Sequence, residues 1–189
     1  MSISAYFHHP DRYDRTLGRF LHRLHARVIR DVIAANLAEG SRILDVGTGP
    51  GRVPHAVANA LPQIRIAALD LSPQMVEQAR HRATTAERPA QLGFVVGDVA
   101  SLPYPGGTFD LIISSMSQHH WTDPPAALRE LRRVLRPAGR LWIYDVRRRL
   151  PRAETAARTL FPEHTVHSEP LRNGRLPLHI TARLTIEPA

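Results

Sequence analysis

Residues 43–52 read ILDVGTGPGR: a short apolar run ends in an acid, and three glycines follow at every second position. An apolar run without polar alternation is typical of a strand buried on both faces of a sheet. The next stretch, GRVPHAVANALP, predicts a helix, with Pro54 in the first turn, where proline is tolerated. Three glycines between a buried strand and a helix give the backbone unusual conformational freedom, which indicates that a ligand approaches the main chain closely at this turn.

The alternation of strand and helix continues to about residue 146. Further strands are predicted at IRIAALDL, LGFVVGD, FDLIISSM and GRLWIYDV. Helical spacing of apolar residues covers 14–37, and two more helices follow Ser72 and Asp123, each an N-cap residue with proline directly after it. Strands that alternate with helices form a parallel sheet with helices on both faces.

The C-terminal stretch has a different pattern. In LPLHITARLTIE the apolar residues alternate, and those predicted to share one face are Leu176, Leu178, Ile180, Ala182, Leu184 and Ile186. Asn173-Gly174 before it is a hairpin-type turn signal, and EHTVHSEPL is predicted to pair with it antiparallel. The predicted fold class is α/β: a Rossmann-like, doubly wound, mostly parallel seven-stranded sheet with an antiparallel C-terminal hairpin.

Composition excludes several classes of function. The chain has no Cys, so disulfides, thiolate zinc sites and cysteine nucleophiles are absent, and its scattered His residues predict no metal site. We expect no membrane span and no signal peptide, and therefore a cytoplasmic protein. The net charge is +8, but every basic residue counted is Arg. The frequent Arg, Ala, Pro and Leu together indicate a GC-rich coding bias rather than selection for a binding face, which makes a nucleic-acid partner the less favoured alternative.

The glycine spacing and two nearby acids restrict the class of ligand that the glycine turn can bind. The spacing G-x-G-x-G is neither the G-x-G-x-x-G of dinucleotide folds nor a P-loop. Asp45, two residues before Gly47, would repel a pyrophosphate and attract a cation. Asp70 ends the second strand, where an acid suits the two hydroxyls of a ribose. The predicted ligand is therefore a nucleoside that carries positive charge.

Four motifs then resemble one family in the right order. They are ILDVGTGPG, ALDLSPQMVEQAR, FVVGDVASLPYPGGTFDLIISSM and LRRVLRPAGRLWIYD. Together they are similar to the class I S-adenosylmethionine-dependent methyltransferases, in the ubiquinone/menaquinone-biosynthesis-like (type 11) branch. The resemblance covers about residues 10–146, and RPAGR departs slightly from the commoner KPGGR.

The resemblance implies S-adenosylmethionine as cofactor, with S-adenosylhomocysteine as product, and assigns residues to it. Asp70 would hold the ribose hydroxyls and Asp98 the adenine amino group. The residues implied to line the methionine and sulfonium portion are Asp45, Gly47, Gly49 and Ser115. Those implied to lie beside the nucleoside are Leu71, Met75 and Val99.

Methyl transfer is an in-line displacement with a neutral leaving group, so alignment supplies most of the catalysis. The candidates for a general base are His119 and His120 in SSMSQHHW, just beyond the fourth strand. The alternative is that the pair packs or caps the loop together with Trp121. The D-P-P of TDPPAA stands too late in the chain for an amino-methylating motif and is better explained as a helix cap.

We therefore predict a methyltransferase that acts on a small molecule, by O-, N- or C-methylation. An RNA- or protein-directed methyltransferase and a non-catalytic cofactor-binding protein are the alternatives. One domain is expected over 1–189: a helical cover (1–38, with Tyr6 and Tyr13), a cofactor-binding core (39–146), and a short helix with the hairpin (147–189). The charge run RRRLPR (147–152) is predicted to be a loop, and a homodimer is possible for such a domain.

Overall fold

The computed structural model describes residues 18–84, 91–171 and 180–189, with no account of the side chains of 18–20 and 83–84. The helices are α1 (Gly18–Ala34), α2 (Arg52–Ala60), α3 (Pro73–Thr84), α4 (Pro124–Val134) and α5 (Leu150–Leu160). The strands are β1 (Arg42–Val46), β2 (Arg65–Asp70), β3 (Leu92–Val96), β4 (Phe109–Ser115), β5 (Leu135–Val146), β6 (His164–Pro170) and β7 (Thr181–Pro188). Short 3₁₀ helices cover Gln118–His120 and Arg147–Arg149.

The described strands form one seven-stranded sheet in the order β3-β2-β1-β4-β5-β7-β6. Strands β1 to β5 pair in parallel, whereas β7 runs antiparallel to both β5 and β6. The predicted fold class is thereby confirmed. The strand order changes direction between β1 and β4, and ligands of open α/β sheets bind at the carboxyl ends of the strands beside such a point.

Helices cover both faces of the sheet, as predicted. Neighbouring residues of β1 belong to different cores: Leu44 packs with α4 and α5, and Ile43 packs with α1 and α2. Helix α1 buries Leu24, Val28 and Val32 and ends at Ala34, earlier than the predicted Leu37. Tyr6 and Tyr13 lie outside the described residues.

The prediction of a loop at 147–152 is wrong. Arg147–Arg149 forms a 3₁₀ helix, and α5 begins at Leu150 within the charge run. The cause is an apolar stripe that starts inside the run: Leu150, Ala153 and Ala157 are all buried in the core. Pro151 stands in the first turn of α5, where it removes no intrahelical hydrogen bond.

Strand β5 and the hairpin differ from the prediction in detail. Strand β5 starts at Leu135, which pairs with Phe109, and a register shift precedes the regular pairing with β4. In β7 the predicted inward residues Ala182, Leu184 and Ile186 are buried, but Ile180, just before the strand, is 49% exposed. The predicted turn Asn173-Gly174 lies outside the described residues.

Candidate active site

A cavity of about 500 Å³ lies at the carboxyl ends of the parallel strands, within the size range of small-molecule sites. The predicted cofactor residues on its wall are Gly47, Gly49, Asp70, Leu71, Met75, Asp98 and Val99. The sequence placed these residues after β1, β2 and β3, and the parallel pairing brings them together. Leu71 is 71% exposed and lies at the mouth, whereas Met75 is buried.

The glycine turn is held against the end of β2. Gly47 N–H donates to the Leu69 carbonyl (2.8 Å), and Gly49 N–H donates to Oδ2 of Asp70 (2.7 Å). Gly49 has φ +55°, and a Cβ placed there meets nothing within 4 Å. This open side belongs to a residue of the cavity wall, so Gly49 is the position that lets a ligand approach the backbone.

Gly47 has a different role. Its φ is +70°, and an added Cβ would lie 2.0 Å from Oγ of Ser117. Position 47 must therefore be glycine because the segment that follows β4 packs directly on the glycine turn. Trp121 Nε1 donates to the same Ser117 Oγ at 3.2 Å, so this contact also orders the cavity wall that carries Trp121.

Asp45 does not line the cavity, although the resemblance places it beside the methionine portion. Its carboxylate is buried and accepts a hydrogen bond from Oγ1 of Thr48 (2.7 Å), inside the glycine turn. Burial raises the pKa of Asp45 to about 7, opposed by the Thr48 hydroxyl and assisted by the charge of Asp70. In this structure Asp45 therefore stabilises the glycine turn through Thr48, on the side away from the cavity.

Asp70 and Asp98 present acceptors to the cavity. Asp70 accepts from Ser72 N–H (2.9 Å) as well as from Gly49. Burial raises the pKa of Asp70, while the backbone N–H groups of Ser72, Gly49 and Leu71 oppose the rise by stabilising the charged form. Oδ1 of Asp98 accepts from Ala100 N–H (2.9 Å), which orients that carboxylate.

The two histidines have different surroundings. His119 Nδ1 lies 2.7 Å from Oδ1 of Asp145, and His119 N–H donates to Oδ2 at 3.1 Å. His119 does not line the cavity, whereas His120 does. The centroids of the two rings lie 3.8 Å apart, with the ring planes tilted by 45°. Asp145 is fully buried, so it holds the His119 ring in one orientation and, through it, supports His120.

The pKa of His120 is lowered, first by burial and then by the neighbouring charges of His119 and Arg149, against the opposing charge of Asp145. A histidine with a lowered pKa is neutral near pH 7 and has a ring nitrogen able to accept a proton. This fits the predicted role of a general base better at His120 than at His119.

Sequence reasoning missed Asp145, whose carboxylate holds His119. Met116, Ser117 and Thr122, in the segment after β4, also line the cavity. Asp145 had a signal, since an acid inside the apolar run LWIYDV is unusual for a buried strand. Met116 adopts φ 55°, a conformation that sequence does not reveal. Ser115 is not part of the wall; its Oγ is buried with no hydrogen-bond partner among the described residues.

Within 18–84, 91–171 and 180–189, no group of three or more His, Asp or Glu side chains is arranged to hold a metal ion. No helix in these same ranges has the length and apolar character needed to cross a membrane.

The cavity fits a nucleoside cofactor. Acids project from the ends of β2 and β3, the open side of Gly49 faces the space between them and β4, and buried Met75 and Val99 supply apolar contact for a base. A pyrophosphate is disfavoured because the N–H of Gly49 is already bound to the Asp70 carboxylate. The site therefore defines a nucleoside-binding protein of the open α/β class.

Comparison with known proteins extends this result. A family model described as "Methyltransferase domain" matches residues 44–143, and the chain belongs to that family. The membership confirms the predicted family and supports S-adenosylmethionine as the cofactor. The fold is also that of a solved S-adenosylmethionine-dependent methyltransferase from Aquifex aeolicus (TM-score 0.75, 19% identity, 95% of this chain and 97% of the other).

Two curated relatives are similar over the core. A malonyl-(acyl-carrier protein) O-methyltransferase of Hahella chejuensis is 42% identical over 100 residues, which is 52% of this chain and 34% of the relative. A ubiquinone/menaquinone biosynthesis C-methyltransferase of Paracoccus denitrificans is 32% identical over 125 residues, 66% of this chain and 49% of the relative. The chain thus spans about a third to a half of the length of these relatives.

Proposed function

We propose that this chain is an S-adenosylmethionine-dependent methyltransferase that methylates a small molecule in the cytoplasm. The observation that carries the proposal is the position of His120. It lines the same cavity as Asp70 and Asp98, but it follows β4, which lies on the other side of β1 from β2 and β3. A cavity with nucleoside-binding acids on one side and a neutral histidine on the other can bring cofactor and acceptor together.

Each residue has a part in the proposed reaction. S-adenosylmethionine, when bound, supplies an electrophilic methyl group on a positively charged sulfur. Asp70 would hold the ribose hydroxyls and Asp98 the adenine amino group, which fixes the nucleoside end of the cavity. His120 would take up the proton that an O–H or N–H acceptor loses, and His119 with Asp145 would keep the His120 ring in place. Trp121 and Thr122 would limit water access from the mouth.

The experiment is a screen of small O-, N- and C-acceptors with labelled S-adenosylmethionine, in which S-adenosylhomocysteine formation is measured. We expect turnover with at least one acceptor class, and a loss of about 10²-fold or more in His120→Ala, the usual contribution of a general base. His22→Ala, which removes an exposed histidine of α1, is the matched control and should keep full activity. Cofactor binding without turnover of any acceptor would favour the non-catalytic alternative.

A further inference from the structure

Three exposed arginines follow β5 directly, in the 3₁₀ helix Arg147–Arg149. In the part of the chain that the structure describes, none of their side chains forms an ion pair or a hydrogen bond. The acids on the neighbouring elements are engaged elsewhere: Asp145 with His119, and Glu154 with Arg158 and Ser168. The positive charge of this segment is therefore not neutralised by the described acids around it.

Two of these arginines border a groove of about 640 Å³. Its wall consists of Val146, Arg147, Arg148, Pro151 and Ile180. Ile180 is one of the few large hydrophobic side chains that the described surface exposes, at 49%. The groove thus has an apolar floor with guanidinium groups at its edge, a combination that suits a molecule with an apolar body and an anionic group.

The groove and the candidate active site share no lining residue, but the segment Asp145–Arg149 connects them. Val146 follows Asp145, whose carboxylate holds His119, and Arg147 N–H donates to the Ile180 carbonyl (2.8 Å), which fixes the two walls together. Arg149 lies close enough to His120 for its charge to lower the pKa of that ring. Arg149, the last residue of the 3₁₀ helix that also carries Arg147 and Arg148, is thus the residue of this segment that acts on the cavity wall.

We propose that this groove, named here the Arg147–Ile180 groove, binds the anionic part of the methyl acceptor: a carboxylate or phosphate on Arg147 and Arg148, with the apolar body on Val146, Pro151 and Ile180. The inference rests on the proposed function and names its substrate class. A nucleic acid fits less well, because no described residue of the groove wall is aromatic and could stack on a base.

The test compares three probes with the same alkyl chain: octanoate, octyl phosphate and octanol. Each is titrated calorimetrically into the full chain with S-adenosylhomocysteine present. We expect both anions to bind about tenfold more tightly than octanol, since exposed ion pairs contribute modestly. Arg147→Gln/Arg148→Gln should remove this preference and leave octanol unchanged. Arg129→Gln/Arg132→Gln, two exposed arginines of α4, is the control of equal charge and should retain it.

The octanoate and octyl phosphate arms decide between carboxylate and phosphate. Equal binding of octanol and the anions, or an anion preference that survives in Arg147→Gln/Arg148→Gln, would overturn the inference. So would a single-stranded RNA oligonucleotide that binds through these arginines and displaces octanoate. S-adenosylhomocysteine binding without anion binding refutes only this inference, whereas no S-adenosylhomocysteine binding refutes the proposed function.

Discussion

The substitution Gly47→Ala tests how the glycine turn and the segment after β4 support each other. Gly47 has φ +70°, so an Ala there adopts the left-handed conformation, which costs about 1–2 kcal/mol. The new Cβ would also lie 2.0 Å from Oγ and 2.2 Å from Cβ of Ser117, which no packed structure accepts. Overpacking of this kind costs roughly 1–3 kcal/mol, so we expect a total loss of about 3 kcal/mol.

Gly49→Ala is the matched control, because Gly49 also has a positive φ (+55°) but open space around its Cβ. It should lose only the conformational part, about 1–2 kcal/mol. Ser117→Gly removes the atoms that the new Cβ would meet. In that background, therefore, Gly47→Ala should cost only the conformational part, measured as the difference in stability between Gly47→Ala/Ser117→Gly and Ser117→Gly. The assay is urea denaturation of each variant without cofactor, followed by circular dichroism.

Equal stability of Gly47→Ala and Gly49→Ala would refute the interpretation. So would a stability cost of Gly47→Ala that is as large in the Ser117→Gly background as in the wild type. The same pair should separate in cofactor binding. Gly49→Ala places a methyl group on the cavity wall and should weaken S-adenosylhomocysteine binding more than its small loss of stability implies.

The remaining predictions concern three aspartates. The pKa of Asp45 rises from 3.8 to about 7 on folding, so the folded state binds more protons than the unfolded state between these pH values. The free energy of unfolding should therefore fall as the pH rises through this range. Its plot against pH should be flatter for Asp45→Asn, and a plot identical to that of the wild type would contradict this. Asp145 raises the pKa of His120, so Asp145→Asn should lower it further in an NMR titration, and a rise would be the wrong sign. Asp123 Oδ1 accepts from Ala126 N–H (3.0 Å) as the N-cap of α4, so Asp123→Ala should cost about 1 kcal/mol in urea denaturation, and no loss would exclude the cap.

The strands, the helices and the acids at strand ends were predictable because each leaves a local pattern. An acid directly after an apolar run, such as Asp70 or Asp98, lies at the carboxyl edge of a parallel sheet wherever its strand is placed. The N-cap residues Ser72 and Asp123 were predictable for the same reason, and hydrogen bonds to the backbone of the first turn confirm both caps.

The rest depends on which elements lie side by side. Asp45 supports the glycine turn instead of lining the cavity, and its direction depends on the pleat of β1. The pairing of His119 with Asp145, 26 residues apart, requires that β4 and β5 be neighbours. The contact of Gly47 with Ser117 likewise joins the ends of β1 and β4. The periodicity of the sequence does not predict these contacts, because they depend on which strands are neighbours in the sheet.

Calorimetric titration with S-adenosylhomocysteine tests the central claim, that the cavity at the ends of β1 to β4 holds the cofactor. Wild type, Asp70→Asn and Glu163→Ala are compared; the last removes an exposed acid outside the cavity and serves as the charge control. We predict binding by the wild type and the control, and a loss of about tenfold or more in Asp70→Asn, as expected for hydrogen bonds to a charged group. Equal affinity of all three proteins, or no binding by the wild type, would contradict the account.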